Sequence, residues 1–186
     1  MQATAQAPWT IDKLMALPLD QMQALWTTLP APDFNELDGE YDGHAPDGGD
    51  ESERQRKAEM MFDETSRQGY WLRKAFHPTS ATQGQGHNVW RKARGIIRRM
   101  RYGTYAGESL IDGKPAFLVR YGDFKTPAGD IDLVDEIRKL DDGLYVGAAT
   151  SRNADGTRSE PDLFLLSGPV GPWVGVDNEQ AELKET

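Results

Sequence analysis

An aspartate that alternates with aliphatic residues is the feature of this sequence with the clearest chemical meaning. In the stretch Asp130 to Leu140, D-I-D-L-V-D-E-I-R-K-L, a strand places Asp135 on one face with Ile131, Leu133 and Ile137. A carboxylate on a buried face must be paired, held neutral or used to bind a ligand, because an unpaired buried charge is too costly. The chemistry that this position predicts is proton transfer, with Asp135 as base or acid.

Cations alternate with apolar residues on two other predicted strands. Within Tyr70 to His77, Lys74 shares a face with Tyr70, Leu72 and Phe76. In the long strand predicted from Ile96, Arg98 shares a face with Ile96, Met100 and Tyr102. Because a buried cation can stabilise negative charge on a ligand, we predict Asp135, Arg98 and Lys74 as catalytic residues. Two alternatives stay open: the charges form an internal salt bridge, or the inner faces are assigned to the wrong sides of the strands.

Six further residues are predicted to contact the ligand. Their side chains offer aromatic surface, a thioether or a polar group that can orient a bound molecule: Tyr41, Tyr102, Tyr121, Phe117, His87 and Met100. His87 lies in G-Q-G-H-N-V-W, a glycine-rich entry to a strand. The histidines lack the H-x-H or H-x-x-x-H spacing of metal ligands, so we predict no metal site.

The sequence lacks the residues that several classes of reaction require. The chain has no cysteine, which excludes disulfides, thiolate nucleophiles and cysteine metal sites. The segment Gly84-Gln85-Gly86 is not followed by a helix with Lys-Ser/Thr, and no serine lies in G-x-S-x-G. We therefore expect no cofactor. The net charge of -9, from 21 basic and 30 acidic residues, argues against nucleic acid as a partner.

The N-terminus and the hydropathy predict a soluble, cytoplasmic protein. The first residues, M-Q-A-T-A-Q-A-P-W, lack the basic and apolar regions of a secretory signal. No apolar run reaches the roughly 20 residues that a membrane helix needs. The expected partner is a small molecule, and the chain could also form a homodimer.

Helix signals occupy the N-terminal part, and strand signals follow. An apolar stripe at helical spacing marks a helix from Leu19 to Leu29, after a shorter one from Ile11 to Leu17. From Gly69 onward, short strands alternate with turns, and Asp112-Gly113 and Asp141-Asp142-Gly143 are hairpin signals. This meander predicts a mainly β fold with N-terminal helices, an antiparallel barrel of about 8–9 strands, with a β-sandwich as the alternative.

These elements divide the chain into three predicted regions. Residues 1–36 form a tail and helical segment, residues 37–177 form the barrel with a helical insertion at about 50–67, and residues 178–186 form an acidic tail. We expect flexibility over residues 1–8, a loop over 45–49, a closing strand from Trp173 to Val176, and fraying after Asp177.

The segment L-P-A-P-D-F-N-E-L-D-G-E-Y-D-G, followed by a meander, resembles the start of the calycin barrels, which include the lipocalins. Gly39-Glu40-Tyr41 corresponds to the Gly-x-Trp of the first lipocalin strand, with tyrosine in place of tryptophan. The helical stretch at 50–67 also departs from the up-and-down strand order of that family. L-I-D-G-K-P-A-F-L-V-R-Y and V-D-E-I-R-K-L-D-D-G-L-Y-V-G resemble segments of uncharacterised bacterial proteins.

These observations predict a lipocalin-like barrel that binds a small, largely apolar or aromatic molecule in its lumen. The first functional hypothesis is a cofactor-independent lyase, isomerase or cyclase that uses general acid–base chemistry. The alternative is a carrier or sensor that binds without catalysis. Several ionisable groups in the expected lumen favour the enzyme, because a carrier needs a mostly apolar lumen.

Overall fold

Eight antiparallel strands close into a barrel in the computed structural model, which describes residues 8–46 and 51–184. The strands of the described chain are β1 (Gly39–His44), β2 (Phe62–Asp63), β3 (Gly69–Pro78), β4 (Gln83–Lys92), β5 (Gly95–Glu108), β6 (Pro115–Arg120), β7 (Val134–Asp141), β8 (Leu144–Thr150) and β9 (Asp162–Gly171). Consecutive strands pair from β3 to β9, and β1 pairs with both β9 and β3, while the short β2 adds to β3 alone. The predicted barrel is therefore confirmed, and the sandwich alternative is wrong.

Four helices accompany the barrel in the described residues: α1 (Ile11–Met15), α2 (Leu19–Trp26), α3 (Glu51–Met61) and α4 (Pro127–Asp130). The Thr10 hydroxyl caps α1 by accepting a hydrogen bond from the Lys13 N–H at 3.3 Å, as helix N-caps commonly do. Both N-terminal helices end earlier than predicted. The flexible tail expected over residues 1–8 and the loop expected over 45–49 lie mostly outside the described residues.

Two apolar clusters lie on opposite sides of the barrel wall. The inner cluster is largely aromatic and fills part of the lumen. The outer cluster joins the buried faces of α1 and α2 to the outside of β8 and β9 through Leu14, Met22, Trp26, Val146, Ala148, Leu163 and Leu165. The N-terminal helices therefore brace the outside of the wall. On the outer face of β7, Arg138 lies over Trp26 of α2 and Glu136 accepts from the Leu110 N–H of the turn before β6, so the successive residues from Val134 to Arg138 are all buried.

Two bulges change which residues face the lumen. The pairing of β3 with β4 shifts between Trp71 and Arg73, so Trp71 joins Lys74 in the lumen while Tyr70 packs outside against Phe62. The predicted face, which combined Lys74 with Tyr70 and Leu72, was therefore wrong at its first two positions. One extra residue in a strand reverses the alternation of all residues before it.

The second bulge lies in β5 at Met100, whose φ is 61°. Before the bulge, Arg98 pairs with Val89 of β4, and after it Tyr102 pairs with Gly86. The bulge turns Arg98 to the outer face while Tyr102 stays inside. The predicted common face of Arg98 and Tyr102 was therefore wrong.

The C-terminal segment lies along the outside of the barrel. The predicted strand from Trp173 to Val176 is absent, and Trp173 instead packs its ring against His87 at 4.7 Å between centroids. The Glu182 carboxylate accepts hydrogen bonds from the N–H groups of Met100 and Arg101, both at 2.7 Å. These bonds cap the part of β5 that β6 does not pair. The fraying expected after Asp177 is thus wrong for residues 177–184.

Candidate functional site

Four polar side chains meet inside the barrel. Lys74 of β3 donates to the Tyr121 hydroxyl at 2.5 Å and pairs with the Asp135 carboxylate at 2.6 Å. Asn88 of β4 donates to the same hydroxyl at 2.9 Å, and Tyr121 donates to Asp135 Oδ2 at 3.3 Å. Alternation brings Lys74, Asn88 and Asp135 to the inner faces of three strands, and Tyr121 follows β6 directly. We call these four residues the inner polar cluster.

The hydrogen bonds of the inner polar cluster engage only one of the two carboxylate oxygens of Asp135. The Lys74 ammonium has three donors, and they meet Tyr121, Asp135 and, at 3.4 Å, the Asn88 side-chain oxygen. That oxygen also accepts from Trp71 Nε1 at 3.1 Å. Within the described part of the chain, Asp135 Oδ1 has no hydrogen-bond partner. A ligand donor can therefore bind there without displacing an internal bond.

Burial sets the electrostatics of this cluster, because Lys74 is 3% exposed and Asp135 is 2% exposed. Loss of water lowers the pKa of Lys74, and the charge of Asp135 opposes that shift. Burial raises the pKa of Tyr121 well above its usual value, and the nearby Asp135 charge raises it further. Tyr121 is thus held as a neutral hydroxyl that can donate or relay a proton.

A cavity of about 510 Å³ adjoins the inner polar cluster. Its wall is mainly apolar and aromatic, with Trp71, Trp90, Met100, Leu133, Ala149 and Phe164 among the lining residues. Met60 of α3 and Ile131, which are 46% and 52% exposed, stand at its entrance. Trp90 is only 4% exposed, and its Nε1 donor has no hydrogen-bond partner among the described residues. The cavity therefore adjoins one acceptor, Asp135 Oδ1, that no described residue engages, while the Trp90 donor is itself buried within the wall.

The other end of the lumen is filled with aromatic rings. Phe117 stacks on Phe34 at 4.9 Å, and Tyr41 packs edge-on against Phe76 at 5.6 Å. The Tyr41 hydroxyl donates to the Glu36 carbonyl at 2.9 Å, which closes this end with the turn Phe34–Glu36. The predicted ligand contacts Tyr41 and Phe117 thus belong to the packed end. Tyr121 and Met100 line the cavity.

Three other predicted site residues lie away from the cavity lining. Tyr102 is fully buried and donates to the carbonyls of Ala75 at 3.0 Å and of His87 at 3.1 Å. His87 itself lies under Trp173 on the outer face, where burial lowers its pKa to about 4. Arg98 pairs with Glu40 at 2.9 Å, also on the outside. The structure therefore brings Asp135 together with Lys74 but not with Arg98.

Sequence reasoning missed the residues that complete the site. Asn88, Trp71 and Trp90 carry no charge, and the prediction of site residues began from charged groups. Asn88 and Trp90 alternate within H-N-V-W-R, which is the signal that could have placed both on one inner face. Trp71 carried no such signal, because the bulge beside it breaks the alternation.

In residues 8–46 and 51–184, no group of three or more histidine, cysteine, aspartate or glutamate side chains is arranged to hold a metal ion. None of the helices in the same ranges is long and apolar enough to span a membrane.

A solved structure shares this fold. The crystal structure of a protein from Thermomonospora curvata superposes with a TM-score of 0.53 and 16% sequence identity, over 84% of this chain and 94% of that chain. The predicted likeness to an uncharacterised bacterial protein is thus found, while the relation to calycins stays a prediction. At this identity the likeness shows the fold alone. No family model and no curated protein matches the chain.

Proposed function

We propose that the barrel binds one small, largely apolar or aromatic molecule, with its polar group against the inner polar cluster. The observation that carries this proposal is the combination of an apolar cavity of about 510 Å³ with the acceptor Asp135 Oδ1, which no described residue engages. Ligand sites are typically apolar cavities of a few hundred Å³ or more with a few convergent polar groups. A ligand that donates a hydrogen bond to Asp135 Oδ1 would engage this acceptor.

Filling the cavity tests the binding proposal. N-phenyl-1-naphthylamine is neutral, aromatic and fluorescent in apolar surroundings, so we expect the native protein to bind it. Ala149 pairs with Asp135 across β7 and β8 and lines the cavity. Ala149→Phe should abolish binding, while Ala106→Phe, at an exposed position of β5 outside the cavity lining, should not. Equal affinity of the two variants for the probe would contradict the proposal.

Acid–base catalysis is a second candidate, because Lys74, Tyr121 and Asp135 share hydrogen bonds beside the open carboxylate oxygen. Asp135 would accept a proton from the ligand, and Tyr121 or Lys74 would stabilise the negative charge that results. No bound cofactor is needed for such an isomerase, cyclase or lyase. Proton transfer of this kind typically contributes about 10²–10⁴-fold to a rate.

A generic base-catalysed elimination tests this second candidate. In 5-nitrobenzisoxazole a base removes the ring C–H proton, the N–O bond breaks, and a cyanophenolate forms. We expect the native protein to accelerate this reaction above buffer, and Asp135→Asn to remove the acceleration while still binding N-phenyl-1-naphthylamine. A rate equal to that of buffer would count against Asp135 as an open base and would leave binding as the function.

A further inference from the structure

A second, smaller depression adjoins the cavity. It has a volume of about 360 Å³ and shares Gln68, Met100 and Pro127 with the cavity lining. Met100, on the β5 bulge, therefore separates the apolar cavity from this depression. We call it the basic groove because Arg67, Arg99 and Lys125 line it.

The cations of the basic groove are available to an anion. Arg67 and Lys125 are exposed, and in the described part of the chain neither side chain has an ion-pair partner. Arg99 is anchored at one end, where its Nη2 donates to the carbonyls of Arg67 at 3.0 Å and Gln68 at 2.7 Å. Its Nη1 meets no acceptor among the described residues. An anchored guanidinium with free N–H groups is well suited to a carboxylate, sulfonate or phosphate.

The acidic residues of the basic groove are engaged by backbone donors. Both oxygens of the Glu182 carboxylate accept N–H groups of the β5 bulge, from Met100 and Arg101. Asp177 accepts from the N–H of Arg98 at 2.9 Å. These bonds hold the two carboxylates against β5, so they do not form ion pairs with Arg67, Arg99 or Lys125. The charge of Glu182 still acts on Arg99, but the groove is lined by four cations, Arg67, Arg98, Arg99 and Lys125, against these two carboxylates, in a chain of net charge -9.

From this arrangement we infer that the ligand is an amphipathic anion, with its apolar body in the cavity and an anionic group in the basic groove, at the end opposite the polar group that meets the inner polar cluster. The inference rests on the proposed binding function and adds the charge and the orientation of the ligand. The expected ligand class is a medium-chain or aryl acid that carries a hydrogen-bond donor at its other end, and a simple acid tests the anionic end alone. An apolar molecule without an anionic group would fill the same cavity but make no contact with Arg99 or Lys125.

A matched pair of competitors tests this inference. At pH 8, decanoate and decan-1-ol are titrated against bound N-phenyl-1-naphthylamine, and they differ in the charge of one end. We expect decanoate to displace the probe at about tenfold lower concentration, because charge-assisted hydrogen bonds to arginine are the stronger ones. In Arg99→Gln and in Lys125→Gln this preference should fall, while decan-1-ol binds as before. The control Arg94→Gln changes an exposed arginine outside both lining sets.

Equal displacement by the acid and the alcohol in the native protein would overturn the inference, and so would an unchanged preference in both variants. Lys125 is exposed, so Lys125→Gln keeps the test valid if Arg99→Gln fails to fold. A failure of the proposed function would show differently, as no binding of N-phenyl-1-naphthylamine at all. In that case, calorimetric titration of decanoate into the native protein and Lys125→Gln would still decide whether the groove binds an anion.

Discussion

The two faces of β7 carry similar charges in different surroundings. On the inner face, Asp135 pairs with Lys74 beside the cavity. On the outer face, Arg138 pairs with both oxygens of Asp112, at 2.9 and 2.5 Å, and lies over the Trp26 ring at 4.0 Å. The outer pair is covered by α2, and neither partner lines the cavity. A buried charge in a strand therefore does not indicate a ligand site by itself. The cavity beside Asp135 is what distinguishes the inner pair from the outer pair.

The largest effect should come from breaking the inner pair. Lys74→Met leaves the Asp135 carboxylate buried without its cation, so we expect the free energy of unfolding to fall by roughly 3–5 kcal/mol. Urea denaturation followed by tryptophan fluorescence measures this change. In the double variant Lys74→Met/Asp135→Leu no charge remains, and most of the loss should be recovered. A double variant as unstable as the sum of the two single changes would show that the pair is not a coupled unit.

Breaking the outer pair should cost less. Arg138→Met removes the bidentate bond to Asp112 and the contact with Trp26, but the Asp112 side chain is 19% exposed and can be rehydrated. We therefore expect a loss of about 2–3 kcal/mol, below that of Lys74→Met. The same variant should bind N-phenyl-1-naphthylamine as the native protein does. Weaker probe binding would mean that the two faces of β7 are coupled through the strand.

The smallest of the expected effects is a change in the pH dependence of stability, which should report on the charge pair at the outer face of β7. The Arg138 guanidinium lowers the pKa of Asp112 from 3.8 to about 2. A carboxylate with a lowered folded-state pKa stabilises the protein above its unfolded pKa, and this stabilisation is lost as the pH falls through the folded value. The native protein should therefore lose stability between about pH 4 and 2, and Arg138→Met should lose less over that window.

The titration of Glu136 must be removed from this measurement, because Glu136 lies with Arg138 on the outer face of β7. Burial raises its pKa, so its protonation favours the folded state as the pH falls, which is the opposite sign. Unfolding by urea at pH 4, 3 and 2 is therefore compared in the Glu136→Gln background, with and without Arg138→Met. Identical slopes in the two proteins would show that the Arg138–Asp112 pair makes no contribution to acid stability.

The sequence was sufficient to predict the barrel and the inner face of β7 that carries Asp135. Turn signals and strand counts predicted the barrel, and alternation placed Asp135 and Ile137 on one inner face. Alternation failed for Arg98 and for the residues before Lys74. A bulge inserts one extra residue into a strand, which reverses the faces of the residues before it, and the composition of the sequence gives no clear signal of a bulge. The predicted strand was wrong for Asp130 to Leu133, because the short helix α4, capped by Thr126 through the Gly129 N–H at 3.1 Å, ends there and β7 begins at Val134. Ile131 and Leu133 nevertheless lie on the side of Asp135 and line the cavity with it.

The C-terminal segment could not be predicted for a different reason. Its residues are polar, acidic or glycine-rich, which is typical of a frayed tail, and no local pattern indicates what it contacts. Its position depends on distant partners, since Glu182 binds the backbone N–H groups of Met100 and Arg101 at the β5 bulge. Long-range complementarity of this kind is absent from any window of the sequence.

The pairing of β1 with β9 has a consequence for the kinetics of folding. This seam joins residues far apart in the chain, as in the contact between His44 and Ser167, which are 123 positions apart. Closing so long a loop costs entropy before any contact offsets it, so barrels of this kind fold in about milliseconds to seconds. We expect the meander from β3 to β9 to form first and β1 to be added last. The cavity would then be closed only in the final step of folding, when β1 pairs with β9 and with β3.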